Sequence, residues 1–408
     1  MRKCPSGAAW TPGTSLGMTV PVASVSPARL AICGMLGMSA AFGIGRFVYT
    51  PILPQMLADG ALTPSSAGLV AGANFLGYLV GALVAVNSAA QRWPWAFFMG
   101  GSLVGALTLA GMAAPPSLPF YAAMRFVGGA GSSFVIVCLS SLVLEPLVRA
   151  GRVRLSAAPF AGVGFGIAGS SALVSLLAAS GFSWRASWIA NATAATIIVV
   201  IIAFLLPAPP KREQQTVAAA KHGRMSAPLA AIVVSYGLFG FGYVITATFL
   251  VAIVRETPTL SALEPWAWGI VGMAGAVSIV FWPWVAQRTT DIAAYCLACL
   301  AEAAGVAFSV VSPTPATIVL SGILLGGTFM AITAVGLGIA RRLTDMAPQR
   351  AQAIMTVAFG LGQIVGPPLA GYMRETTGSF LAPSLIAVAA LVISAALGLV
   401  VVRADARR

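Results

Sequence analysis

Two arginines, Arg46 and Arg125, stand inside long apolar runs, whereas every other basic residue of the chain falls between such runs. A guanidinium offers a planar fork of N–H donors that matches a carboxylate, sulfonate or phosphate, so these two residues could together grip an anion. Their competing roles are snorkelling of Arg46 to a headgroup layer and hydrogen bonding of Arg125 to backbone carbonyls. Glu302, within CLAEAAGVAF, is an acid in an equally apolar setting, where a carboxyl can take up and release a proton. Glu145 is the second acidic candidate for proton coupling. It lies twenty residues beyond Arg125, about 200° around a helix and some 30 Å along it, so the two cannot pair. Its competing role is a salt bridge to the neighbouring Arg149, Arg152 and Arg154.

Asn74, Tyr78, Tyr236, Tyr243, Thr246 and Gln363 are the uncharged polar candidates for contact with a ligand. Tyr236 and Tyr243 are seven apart and share a helix face, although each could equally serve as an interhelical hydrogen bond. Other signals point away from chemistry. Cys296 and Cys299 form a CxxC without a second pair or a histidine cluster, and read as small buried residues. His222, the only histidine, sits in a polar stretch, so no metal site is expected, and no cofactor either. Gly360, Gly362 and Gly366 miss the dinucleotide spacing by one residue within an apolar run.

The elements that must hold these residues follow from composition. Hydrophobic residues make up 59% of the 408 and charged residues 8%, a deficit that makes lipid the solvent. Apolar runs long enough to cross a bilayer fall at 29–49, 66–86, 95–113, 119–145, 157–179 and 186–206, then at 228–253, 266–286, 291–311, 315–340, 351–372 and 380–402. Each satisfies its backbone hydrogen bonds as a helix, as hydrocarbon requires. The fold class is therefore an all-α polytopic membrane protein with twelve transmembrane helices. The polar stretch 207–227 divides it into a half at 29–206 and a half at 228–402, with tails at 1–28 and 403–408.

Counting Lys and Arg in alternate loops places eighteen on one side and three on the other, Arg185, Arg255 and Arg374. That bias puts both termini and the linker in the cytoplasm, in a multi-pass protein of the cell inner membrane. It also accounts for the net charge of +13 without nucleic acid, because the basic residues are scattered rather than gathered on one face. By length from the nearest run ends, Arg46 and Arg125 both fall in the outer half at similar depth.

Two halves of six helices joined by a basic linker resemble the layout of the major facilitator superfamily. Arg125-Phe-Val-Gly128-Gly129-Ala-Gly131 is similar to that superfamily's helix-four motif. GIGRFVYTPILPQM from Gly43, ANFLGYLVGAL from Ala73, YGLFGFGYVITATFL from Tyr236 and FGLGQIVGPPLAG from Phe359 resemble its YbfB/YjiJ-like branch, over about 29–402. The resemblance implies parallel halves with a site at their interface, helices one and four lining the cavity, and a peripheral ninth helix. It implies a secondary active transporter working by alternating access, with a small-molecule substrate, a coupling proton, surrounding lipid and a monomeric state. Gly128, Gly129, Gly131, Pro367 and Pro368 would serve gating, the glycines through close helix approach and the prolines through a kink. The chain departs from the superfamily at Asn87-Ser-Ala-Ala-Gln91-Arg92 and Trp284-Val-Ala-Gln287-Arg288, which lack the usual acidic gating residue. Crossing five carries no Gly-Pro pair, so the antiporter signature is absent. Arg46 and Arg125 favour an organic anion as cargo. The alternative is a multidrug or lipophilic-cation exporter; a membrane enzyme or a non-transporting sensor is disfavoured for want of a clustered catalytic constellation or a soluble domain.

Overall fold

The computed structural model describes residues 25–85, 88–115, 117–208, 225–344, 346 and 348–405. Twelve helices among them are long and apolar enough to cross a membrane. Spans one to six are Pro27–Ala58, Pro64–Ala85, Pro94–Gly111, Leu118–Arg149, Val153–Ala179 and Trp184–Leu205. Spans seven to twelve are Ala227–Glu256, Pro258–Arg288, Asp291–Val310, Pro315–Leu343, Arg350–Thr377 and Leu381–Val401. The tail at 1–24 and most of the expected linker, 209–224 with His222 in it, lie outside the described residues.

The starts and stops have local causes. Proline occupies the first turn of spans one, three, four, seven and ten, where its missing N–H costs nothing and its fixed φ suits a helix. Ser26 caps span one through Arg29 N at 3.3 Å, and Thr314 and Thr317 form a reciprocal capping box on span ten. The turns after spans one and five use Gly60 and Gly181 at φ of 68° and 78°, a conformation only glycine adopts freely. Large apolar side chains remain exposed around the bundle, Phe204, Val280 and Leu176 among them, as a lipid-facing surface requires.

Span one differs from its expected form. The apolar run that marks it spans 29–49. Instead the chain passes through a π-helical segment at Ser39–Ile44, turns at 45–48 and resumes as a helix over Tyr49–Ala58 with Pro54 inside it. Arg46 therefore lies twelve residues before the end of its span, too deep for snorkelling, and is 5% exposed. Span four has the same irregularity at Ser140–Leu144.

The halves meet along two crossings. Span two lies on span eleven so closely that a Cβ on Gly68 would stand 2.3 Å from the Pro367 carbonyl oxygen. Span five meets span eight in the same way, a Cβ on Gly164 falling 2.4 Å from Gly272 O. Only glycine admits such an approach. Hydrogen bonds reinforce the boundary away from the linker end: Ser65 N to Glu375 Oε2 at 3.0 Å, Ser175 Oγ to Pro265 O at 2.8 Å and Thr50 Oγ1 to Ala247 O at 2.6 Å.

Candidate binding site at the boundary of the halves

Arg46 reaches from span one across the boundary. Its Nη2 donates to Gln363 Oε1 of span eleven at 3.2 Å, and Gln363 Nε2 donates to the Tyr243 hydroxyl of span seven. The guanidinium carbon lies 4.4 Å from the ring centroid of Phe75 and 4.6 Å from that of Tyr78, both on span two, with Phe42 at 5.7 Å. These faces hold the cation by their quadrupoles. Nε is buried with no partner, and no carboxylate bonds this guanidinium among the described residues. A buried cation that keeps its charge without an anion is the condition proteins avoid unless something else supplies the counter-charge.

Arg125 sits against Arg46 but faces its backbone. Nη1 donates to Gly45 O at 2.9 Å and Nη2 to Arg46 O at 2.8 Å, while the guanidinium lies 5.2 Å from the Tyr49 ring centroid. The fork thus clamps the carbonyls where span one leaves helical geometry, which is where orphan acceptors arise. Asn74 Nδ2 bonds Arg125 O at 2.8 Å, tying spans two and four behind the pair. Arg125 consequently fixes the backbone that aims Arg46.

The remaining candidates divide. Gln363, Tyr243 and Tyr78 join Arg46 in one cluster. Tyr236, seven residues before Tyr243, donates to Thr333 O at 3.3 Å and lies tilted at 31° against Phe359, 5.0 Å between centroids. Thr246 is buried with its hydroxyl unpartnered. Glu145 is exposed at the linker end of span four, far along the helix from Arg125. Gly128, Gly129 and Gly131 pack span four inside its own half: Cβ atoms there would stand 2.7 Å from Thr108 Oγ1, 2.0 Å from Asn74 O and 2.6 Å from Gly101 O. Pro367 and Pro368 do lie on the boundary, against Gly68 and Gly72.

Glu302 is fully buried in span nine, its carboxyl meeting the Thr328 hydroxyl of span ten while Oε1 has no partner. Thr328 Oγ1 also donates to Leu324 O at 2.6 Å. Nearby, Ser235, Tyr295 and Ser394 form a hydroxyl network between spans seven, nine and twelve, with Ser235 2.9 Å from both other hydroxyls. Cys296 and Cys299 are buried beside it, as small residues.

Rings are what the sequence did not single out. Tyr243 stacks on Phe359 at 5.8 Å and 5°, on Phe329 at 6.0 Å and 11°, and on Phe239 at 5.0 Å and 21°. Spans seven, ten and eleven therefore present a ladder of near-parallel rings beside the guanidinium. Phe239 and Tyr243 are four residues apart, as are Phe42 and Arg46, a spacing that signals a shared helix face.

Residues 38–399 match the family model described as an uncharacterised MFS-type transporter, YbfB. No curated protein matches the sequence. The fold resembles the crystal structure of the nucleoside transporter NupG, with a TM-score of 0.71, 17% identity and coverage of 92% of this chain and 98% of that one. It also resembles a bacterial homologue of the human lysosomal transporter Spinster, crystallised inward-facing and unoccupied, with a TM-score of 0.64, 12% identity and coverage of 92% and 96%. At such identities the likeness concerns fold alone.

Proposed function

The chain belongs to the family of MFS-type transporters described by YbfB, and from that premise we propose that it carries a small organic anion by proton-coupled alternating access. The observation that carries this reading is Arg46: a guanidinium buried at the boundary of the halves, bonded only to a neutral amide, with Nε free. An anionic group reaching that fork would supply the missing counter-charge through charge-assisted hydrogen bonds. Arg125 and Asn74 position it, and Tyr243 and Gln363 tie it to the opposite half, so a bound anion would be felt by both halves.

Glu302 is the proton carrier in this reading. Thr328 Oγ1 has one proton to share between Glu302 Oε2 and the Leu324 carbonyl, and Oε1 has no partner, so a charged carboxyl would be under-bonded here and the protonated form is the one this setting favours. Thr328 immediately precedes Phe329, whose ring stacks on Tyr243, which bonds Gln363 and so reaches Arg46. Release of the proton would leave an anion without partners and favour rearrangement of that path. Gating falls to the crossing of Gly68 with Pro367 and Pro368 rather than to the glycines of span four. The charge bias of the loops supports an inner-membrane location with both ends of the chain in the cytoplasm.

The ring cluster favours one competitor, export of lipophilic cations, because aromatic faces also attract cations. The two readings part in proteoliposomes that enclose a pH dye and are challenged with small organic anions or lipophilic cations. Proton movement driven by anions and lost in Arg46→Ala supports the anion reading. Movement driven by cations and retained in that variant would replace it with the exporter.

A further inference from the structure

We infer that the anion is a planar aromatic carboxylate, its ring lying against the Tyr243–Phe359 ladder while its carboxylate displaces the Gln363 amide from Arg46; the inference rests on the organic-anion reading above. Three features converge. Guanidinium and rings are joined through Tyr243 and Gln363, since Tyr243 contributes its face to the ladder and its hydroxyl to the Gln363–Arg46 chain. The rings of Phe329 and Phe359 each lie within 11° of parallel to that of Tyr243, an arrangement that one more flat ring extends and a saturated ring does not. Finally, the Arg46 guanidinium carbon lies 4.4 Å from the Phe75 centroid and 4.6 Å from the Tyr78 centroid, so rings already line the cation, and its planar fork of donors matches a carboxylate.

Gln363 acts as a placeholder in this arrangement. Its Oε1 occupies the acceptor position on Arg46 that a carboxylate oxygen would take, and it is uncharged, so it satisfies one donor without neutralising the cation. Beside the ladder lies a void of about 10 Å³ bounded by Phe47, Tyr243, Trp268 and Phe329, room for roughly one water and too small for an aromatic acid. A ligand therefore enters as the halves part and takes the place that Gln363 and the collapsed rings hold here.

Binding to the purified full-length chain in detergent tests this, with benzoate, cyclohexanecarboxylate, acetate and tetraphenylphosphonium as probes and thermal stabilisation as the readout. Benzoate binds roughly three- to tenfold more tightly than cyclohexanecarboxylate, which has the same charge and size but no π face, and acetate is weakest. In Phe359→Leu the preference for benzoate over cyclohexanecarboxylate falls toward one, and Phe329→Leu gives the same result should the first variant not fold. Gln363→Glu supplies a permanent carboxylate to Arg46, so it raises thermal stability and abolishes binding of benzoate. Equal binding of the two six-membered-ring acids, or a preference that survives in both leucine variants, overturns the aromatic assignment and leaves the organic-anion reading standing. Binding of tetraphenylphosphonium with no response to any carboxylate overturns both.

Discussion

The two halves bury polarity in opposite ways. The first half brings a cation to the boundary and surrounds it with neutral groups, so that Arg46 depends on what arrives there. The second half keeps its acid inside, where Glu302 meets Thr328 and the neighbouring Ser235, Tyr295 and Ser394 satisfy one another. The hydroxyl network, bonded throughout, makes a rigid core, whereas a group left with an open atom can take a new partner: Arg46 through Nε at the boundary, Glu302 through Oε1 inside the half. Location relative to the boundary, rather than residue type, separates the two.

The contrast breaks most directly at Arg46. Arg46→Ala should lower anion-driven flux about a hundredfold, since charge-assisted hydrogen bonds contribute about 1.5–3 kcal/mol each; flux within a few-fold of wild type would show that the first half's charge serves structure. Glu302→Gln keeps the shape and the hydrogen bond but has no proton to release. It should abolish proton-linked accumulation while leaving exchange of labelled anion across the membrane within about twofold, because the groups that meet cargo are untouched. Equal loss of exchange and accumulation would place Glu302 among the groups needed for conformational change itself. Arg125→Lys removes the fork from Gly45 and Arg46, at about 1–3 kcal/mol, and should lower the melting temperature and the anion affinity together. A fall in affinity with no loss of stability would mean direct contact with the anion. The smallest effect belongs to Tyr295→Phe, which should cost about 1 kcal/mol in stability and leave transport unchanged; a transport defect there would extend the functional region into the second half's core.

Much of the architecture was readable because a bilayer imposes one length on every crossing. Eleven of the expected crossings match the observed spans within a turn or two at each end, apart from the start of span eight, which begins at Pro258 rather than 266. Span one ran past its expected stop because proline breaks a helix only when the freed carbonyls have no other partner. Here Pro51 frees the Phe47 carbonyl, and Trp268 Nε1 of span eight donates to it at 3.1 Å. The two arginines stood out as charges in apolar runs. Their division of labour did not, since it depends on which atoms face which backbone, a matter of tertiary contact. Phe359, Phe329 and Phe239 were invisible for the opposite reason. In a chain that is 59% hydrophobic, an aromatic ring carries no contrast until its neighbours are known.

The π-helical segments at Ser39–Ile44 and Ser140–Leu144 occur in the two spans that carry the buried arginines. A π segment corresponds to one inserted residue in an otherwise α-helical run. Its presence is thus a countable trait of a sequence. Among relatives, a chain one residue shorter between the positions of Ser39 and Ile44 would turn its counterpart of Arg46 by about 100°, away from span eleven. Aligned by length alone, such a chain would keep the arginine in its column and yet have lost the site.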